Sequence, residues 1–321
     1  VSGILSLSAP AGWSCEPKQI PFTLSKEGEA AAFKFAAVAG KEIRPGREIF
    51  EAVATVNGQK ISESYRMYSV QDLWKLPLYR KADSEVVAFD YTLPAKLRVA
   101  YVMGAGDRVP DALVQMGLAV KLLESEDVAA ADLRQYDCII AGVRAYDVRD
   151  DLIANNARLL DYVKQGGVFV VQYNRKEPWN KAQYAPYPAK IASNDHRVTD
   201  ENAPVTILDP KHPVFNFPNK ITPGDFEGWV QERGLYFIQD RDPHFKPLLA
   251  SGDPGEKPLD GGLLVADYGT GKYVLTSYAW FRQLPEGVPG AIRIFANLIS
   301  LGRAPVKAKG SAEEARGQQK Q

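Results

Sequence analysis

The sequence predicts an all-β domain followed by an α/β domain built on a parallel sheet. Short strand-like segments separated by turn signals fill the first 84 residues, which indicates an all-β fold. Residues 136–174 then contain two apolar runs on either side of a helical pattern, as in a strand–helix–strand unit. Strand-like and helical segments also alternate between residues 97 and 135. This alternation is typical of doubly wound α/β proteins.

The first domain, residues 1–84, is predicted to be an immunoglobulin-like β-sandwich. About six short strands are expected, and Asn57-Gly58 between two of them is a strong hairpin signal. No residues in this stretch have the spacing of a catalytic site, so we expect a structural or surface-binding module. Residues 71–97 should connect the two domains and include a docked strand around Val86 and Val87.

The second domain, residues 85–303, is predicted to centre on the unit at 136–174. Its apolar runs, 138–143 and 168–171, lack in/out alternation, as strands buried on both faces do. Gly166-Gly167 should end the helix between them. The other expected elements are strands at 97–103, 119–123, 235–238, 247–250, 262–268 and 272–278, and helices at 109–116 and 288–301.

Two stretches of this domain lack periodic patterns. Residues 175–224 are rich in Pro, Asn, Asp and Tyr, and we expect an ordered excursion that passes over the functional site. Residues 304–321 are rich in Lys, Glu, Gly and Gln, and we expect a disordered tail.

Composition excludes several functional classes. The chain has 39 Lys and Arg residues and 39 Asp and Glu residues, so no bulk charge favours nucleic acid. No apolar run approaches the roughly 18 residues that span a bilayer, so we expect no transmembrane segment. The two cysteines, Cys15 and Cys138, are expected to be free buried thiols in different domains.

Motifs for the common catalytic chemistries are missing. The three histidines have no partners at metal-ligand spacing, so we expect no metal site and no cofactor. The second strand of the central unit should carry a nucleophile elbow, yet Gln172, Tyr173 and Asn174 follow it. Gly104–Arg108 lacks the third glycine of a dinucleotide-binding loop and is expected to be a plain tight turn.

Polar and aromatic side chains follow the predicted strands instead. In open α/β sheets, ligands bind beyond the carboxyl ends of the strands. Arginines with amides and indoles could there clamp a carboxylate or phosphate, or stack on a sugar ring. The predicted ligand-binding residues are Arg144, Tyr146, Gln172, Asn174, Asp225, Trp229, Tyr278, Arg282 and Gln283. The same residues could equally satisfy one another inside the domain.

Two alternatives to ligand binding stay open. In one, the domain is a hydrolase or lyase in which Asp225 or Glu227 is the base and Arg144 or Arg282 stabilises an anion. In the other, the domain is an interdomain scaffold, and side chains from residues 175–224 fill the pocket.

Several segments resemble the C-terminal region of large bacterial PIG-L/LmbE-type deacetylases. They are Tyr136–Asn174, His196–Pro204, Pro223–Phe237 and Tyr278–Leu301. The resemblance extends over nearly all of residues 1–303. It implies an Ig-like domain followed by a flavodoxin-like domain of the class I glutamine-amidotransferase-like type, close to its ThuA-like branch.

The resemblance also implies a function. Proteins of this family begin with a zinc-dependent N-acetylsugar deacetylase domain, whose HPDDE-type motif does not occur in this chain. By resemblance, the chain is a non-catalytic accessory region, a pseudoenzyme that binds carbohydrate or supports a deacetylase domain of the same or a partner chain. Because the chain starts inside a strand-like segment, we expect a longer protein, which would be secreted or periplasmic if it is exported.

Overall fold

A computed structural model describes residues 1–70 and 74–305 of the chain. The protein divides into two compact units, Val1–Asp90 and Tyr91–Gln321. No helix within the described ranges combines the length and hydrophobicity needed to cross a lipid bilayer. Most of the predicted tail, from residue 306 on, lies outside the described residues.

The first unit is all-β in its described residues. Its strands are β1 Ser2–Ser8, β2 Trp13–Glu16, β3 Gln19–Thr23, β4 Ala36–Ala39, β5 Gly46–Val56, β6 Gln59–Ile61, β7 Glu63–Val70, β8 Trp74–Lys81 and β9 Asp83–Ala88. One sheet has the order β3-β1-β5-β6, and β9 also pairs with β5. The pairs β2–β4 and β7–β8 are separate. The immunoglobulin-like assignment stays a prediction.

Pairing of β9 with β5 explains where the first unit ends. The register joins Gly46 to Ala88 and Glu51 to Asp83, so residues 83–88 belong to the first sheet. The unit therefore extends to Asp90, six residues beyond the predicted boundary at 84.

The second unit is a mixed α/β structure. Its strands are β10 Val99–Val102, β11 Val120–Leu122, β12 Cys138–Ala141, β13 Val168–Gln172, β14 Ala189–Lys190, β15 Val205–Ile207, β16 Asp240–Arg241, β17 Lys246–Pro247, β18 Leu249–Ser251, β19 Leu263–Tyr268 and β20 Gly271–Thr276. Its helices are α1 Val109–Gln115, α2 Ser125–Ala130, α3 Ala145–Val148, α4 Asp150–Ala154, α5 Asn156–Lys164, α6 Lys176–Trp179, α7 Trp280–Gln283 and α8 Pro289–Ile299.

A seven-stranded sheet forms the centre of this unit. Its order is β11-β10-β12-β13-β20-β19-β17. The first five strands are parallel, whereas β19 and β17 are antiparallel additions at one edge. Every residue of β10, β12 and β13 is buried, because helices cover both faces of a parallel sheet. The predicted buried strands at 97–103, 138–143 and 168–171 are thus confirmed.

The crossover between β12 and β13 departs from a single helix. The predicted helical segment divides at Asn155 into α4 and α5. Gly166, with φ +115°, then turns the chain back towards the sheet. A side chain at Gly167 would lie 2.1 Å from the Tyr162 ring, so this position requires glycine.

One predicted strand is wrong. Residues 235–238 do not join a sheet, although four apolar residues in a row favoured one. Tyr236 has φ +54°, which breaks extended backbone. The neighbouring Gly234 makes only isolated bridges, to Val198 and Tyr278. The segment is therefore a loop, which backbone bridges attach to Val198 on one side and Tyr278 on the other.

Candidate ligand site at the carboxyl edge of the sheet

A sharp turn from β12 into α3 forms one wall of the site. Arg144 lies at this turn in the left-handed conformation, with φ +58° and ψ 32°. Its backbone N–H donates to the Tyr173 carbonyl beyond β13, at 2.8 Å. Gly104, beyond β10, allows its own backbone to lie close to this turn, because a Cβ at Gly104 would lie 2.1 Å from the Val143 oxygen. The elbow thus follows β12, not β13 as the sequence predicted, and carries an arginine.

The side chain of Arg144 is held by a buried carboxylate. Its Nε donates to Oδ2 of Asp147 at 2.9 Å. Arg175, just beyond β13, donates its Nε to the same oxygen at 2.7 Å. The Asp147 side chain is 0% exposed, whereas those of Arg144 and Arg175 are 32% and 46% exposed. One buried acidic group therefore orients two partly exposed guanidinium groups.

A third arginine, Arg282, enters from α7. Its Nε donates to Glu232 and its Nη1 to Gln231, each at 2.7 Å. Its guanidinium also lies over the Phe281 ring, 4.8 Å from the centroid. Gln231 is itself in the left-handed region, with φ +66°. These contacts fix the guanidinium of a side chain that is 30% exposed.

Tyr173 joins the two arginine groups. Its ring lies 5.7 Å from that of Tyr236 and 5.5 Å from that of Phe281. Burial raises the pKa of Tyr173, and the positive charges of Arg144 and Arg282 oppose that shift. The phenol is therefore neutral near pH 7 and can donate or accept a hydrogen bond.

An open cleft lies beside this group. Its volume is about 450 Å³. The lining residues are Asp107, Arg108, Val230, Gln231, Phe281, Arg282, Pro285 and Glu286. The Asp107 carboxylate accepts from the Tyr101 hydroxyl and from the backbone N–H groups of Val109 and Val143. The segment Gly104–Arg108 is therefore a turn that the side chain of Asp107 stabilises. A plain turn is what the sequence predicted here, because the third glycine of a dinucleotide-binding loop is missing.

Of the nine predicted ligand-binding residues, only Arg144 and Arg282 are partly exposed here. The other seven are buried, with exposures of 4% or less: Tyr146, Gln172, Asn174, Asp225, Trp229, Tyr278 and Gln283. Asn174 accepts from the Tyr146 N–H and donates to the Gln172 carbonyl, both at 3.0 Å. Such side chains build the walls of the site and do not face a ligand.

The buried aromatic residues near α7 form part of the core. Trp229 packs against Tyr278 and Trp280, with ring centroids 5.9 and 5.3 Å apart. Gln283 accepts from the Val230 N–H and donates to the Val230 carbonyl, both at 2.8 Å. Gln283 therefore anchors the segment that presents Gln231 to the cleft.

Asp225 is placed as a structural carboxylate. Its Oδ1 accepts from Arg293 at 2.7 Å, and its Oδ2 accepts from the Thr222 backbone and hydroxyl at 2.8 and 3.0 Å. Glu227 is exposed. The carboxylates that pair with Arg144 and Arg282 are Asp147 and Glu232. This arrangement does not favour Asp225 or Glu227 as a catalytic base beside those arginines.

The space beyond β13 is almost closed. A cavity of about 10 Å³ remains, lined by residues that include Gln172, Asn174, Trp179 and Ile191. Trp179 and Ile191 come from the excursion at 175–224, which was expected to fill the pocket in the scaffold alternative. The excursion thus closes the centre of the sheet edge, while the cleft at β10 and α7 stays open.

The described residues contain no group of three or more His, Cys, Asp or Glu side chains placed to hold a metal ion. Cys138 is fully buried, and burial raises the pKa of its thiol, which makes a thiolate nucleophile unfavourable. Cys15 is also a free buried thiol.

Sequence reasoning missed Asp147, Arg175, Glu232 and Tyr236 as members of this site. An arginine three residues before an aspartate signals an ion pair on a helical turn, and this signal was present at Arg144 and Asp147. Nothing in the sequence indicates that Arg175 would share that aspartate, since the contact spans 28 residues.

Comparisons with known proteins gave only distant likenesses. No protein-family model and no curated protein matches the sequence. Cytoplasmic protein STM3548 from Salmonella typhimurium is 14% identical, with a TM-score of 0.43, over 74% of this chain and 94% of that one. A β-galactosidase from Rahnella sp. R3 is 16% identical, with a TM-score of 0.40, over 65% of this chain and 32% of that one. TM-scores below 0.5 carry no argument about this chain.

Proposed function

We propose that this chain is a non-catalytic accessory region that binds carbohydrate for an N-acetylsugar deacetylase domain, located on the same or a partner chain. We also propose a flavodoxin-like, class I glutamine-amidotransferase-like fold for the second unit. The order of its five parallel strands supports this fold, because they lie in the sequence 2-1-3-4-5 along the sheet. The resemblance to PIG-L/LmbE-type proteins supports the deacetylase link.

The observation that carries the proposal is the elbow at Arg144. A strand–turn–helix elbow with a left-handed residue is where α/β enzymes of several classes present a nucleophile. Here the position holds a guanidinium paired with Asp147, which cannot attack a substrate. The geometry therefore favours holding a ligand over transforming one.

The adjoining cleft has the chemistry of a sugar site. Gln231 and Arg282 provide hydrogen-bonding groups for hydroxyls, and Phe281 provides an apolar ring. A volume of about 450 Å³ falls within the usual range for small-ligand sites. Binding of a short oligosaccharide is the function that this combination supports best.

Calorimetric titration of the intact chain with N-acetylglucosamine oligomers tests the proposal. We expect Arg282→Ala to weaken binding by at least about tenfold, because hydrogen bonds to a charged group contribute about 1.5–3 kcal/mol. Arg98→Ala is the matched control, since Arg98 pairs with Asp137 at the opposite, amino end of β12. Absence of any glycan binding, or equal affinity in the wild type and Arg282→Ala, would contradict the proposal.

A further inference from the structure

We propose that this site selects anionic sugars, whose carboxylate or sulfate group binds between Arg144, Arg175 and Arg282. The inference rests on the proposed carbohydrate binding and adds the charge class of the ligand. Carboxylates and sulfates share the oxyanion chemistry that guanidinium groups recognise through paired N–H donors.

Positive charge exceeds the negative charge of the direct ion-pair partners at this site. Arg144 and Arg175 share a single carboxylate oxygen of Asp147, so two positive charges face one negative charge. Arg282 pairs with Glu232. With the exposed Glu177 and Glu286 left out of the count, the three arginines and their two acidic partners carry a net charge of about +1 in a partly desolvated setting, where charge interactions are stronger than in water.

The three arginines also keep N–H donors that are not used within the protein. Arg144 and Arg175 each use Nε towards Asp147, and Arg282 uses Nε and Nη1 towards Glu232 and Gln231. Within the part of the chain that the structure describes, the Nη2 atoms of these three arginines have no hydrogen-bond partner. Partly exposed guanidinium groups held rigid on one side leave donors available to an incoming anion.

Residues with left-handed backbone conformations lie at and beside the arginines. Among the described residues, five non-glycine residues have positive φ, and three of them are Arg144, Gln231 and Tyr236. Arg144 is one of the arginines, Gln231 binds Arg282, and Tyr236 packs on Tyr173. Residues with unfavourable backbone conformations cluster at functional sites, where the surrounding structure holds them in the geometry that a ligand requires.

Two further acidic side chains limit where the anion can bind. Glu286 is an exposed residue that lines the cleft, and exposed Glu177 acts electrostatically on Arg175. Both would repel an anionic ligand through solvent. The oxyanion is therefore placed beside Tyr173, where the Arg144 and Arg175 pair meets Arg282, with the sugar ring extending into the cleft.

Titration of the intact chain with three probes tests this inference. They are an oligomer that alternates glucuronate with N-acetylglucosamine, a sulfated N-acetylglucosamine oligomer and the neutral oligomer. We expect at least one anionic probe to bind about tenfold tighter than the neutral one, and added salt to reduce the difference. The relative affinities of the first two probes distinguish carboxylate from sulfate recognition.

Variants on either side of the site make the test sharper. Arg175→Gln, at a side chain that is 46% exposed, should abolish the preference while thermal stability stays near that of the wild type. Glu286→Gln should increase affinity for the anionic probes more than affinity for the neutral probe. Arg98→Gln serves as the control. Equal affinity for anionic and neutral oligomers overturns the charge selectivity alone, whereas failure of all three probes to bind overturns the proposed function as well.

Discussion

At the residue scale, the candidate site depends on a few arginine side chains whose positions are fixed by ion pairs with Asp147 and Glu232. The position of Arg144 and Arg282 at the carboxyl edge could be predicted, because both residues follow strands of the sheet. The burial of Trp229 and Tyr278 could not, because a polar-aromatic residue after a strand can face either the cleft or the core. Packing against Trp280 decides this for both side chains, and for Trp229 that contact joins distant parts of the chain.

Replacing Asp147 with asparagine tests the buried anchor. Asp147→Asn removes the one negative charge shared by Arg144 and Arg175, so we expect the free energy of unfolding to fall by about 1–2 kcal/mol. Urea denaturation measures the change. The control is Asp132→Asn, which disrupts a solvent-exposed pair with Arg134 and should lower the free energy of unfolding less than Asp147→Asn does. Equal effects of the two substitutions would mean that the buried ion pairs of Asp147 contribute no more to the free energy of unfolding than the exposed pair does.

His212 gives the protein an acid-sensitive position. Burial lowers the pKa of His212 to about 4, and its Nδ1 accepts a hydrogen bond from the Val214 N–H. In the unfolded chain the same group titrates near 6.5, so the unfolded state takes up a proton first as pH falls. His212 therefore has no effect on stability well above pH 6.5 and destabilises the fold as pH falls from about 6.5 to about 4.

The corresponding variant is His212→Asn, which keeps a capping acceptor but does not titrate. Between pH 7.5 and 5, the melting temperature of the wild type should fall further than that of the variant. Parallel melting curves across this range would show that the histidine is not responsible.

At the scale of elements, helix α8 anchors part of the excursion that closes the sheet edge. Asn297, 0% exposed, accepts from the Asn219 N–H and donates to the carbonyls of Val214 and Asn219. The apolar pattern of α8 made the helix itself predictable. The role of its single buried asparagine could not be predicted. Asn297 interrupts the apolar face of the helix, and no neighbouring residue indicates a hydrogen bond to a loop 78 residues away.

Asn297→Ala should therefore be strongly destabilising. The substitution removes this partner from the backbone N–H and the side-chain amide of Asn219 and from two buried carbonyls, and we expect a loss of about 2–4 kcal/mol. Chemical denaturation of the intact chain measures it, with the exposed residue Asn202 changed to alanine as the control. A loss below about 1 kcal/mol would show that water or a shifted side chain replaces the amide.

At the scale of the whole molecule, the carboxyl edge of the sheet brings together residues that lie far apart in the chain. Arg144, Tyr173 and Arg282 follow β12, β13 and β20, which are neighbouring parallel strands. The first two strands were predictable from their continuous apolar runs. The placement of β20 beside β13 was not, because about 100 residues separate them and pairing at that distance follows from the packing of the complete sheet.

The central claim is that the second unit holds a sugar without transforming it. Calorimetric titration of the intact chain with the glucuronate-containing oligomer tests both parts of this claim together. We predict heats that saturate at one ligand per chain, then return to baseline, and a curve that weakens by about tenfold in Arg282→Ala. Sustained heat flow after each injection would reveal turnover and contradict this claim, as would the absence of any heat of binding with this oligomer, the sulfated oligomer and the neutral oligomer alike.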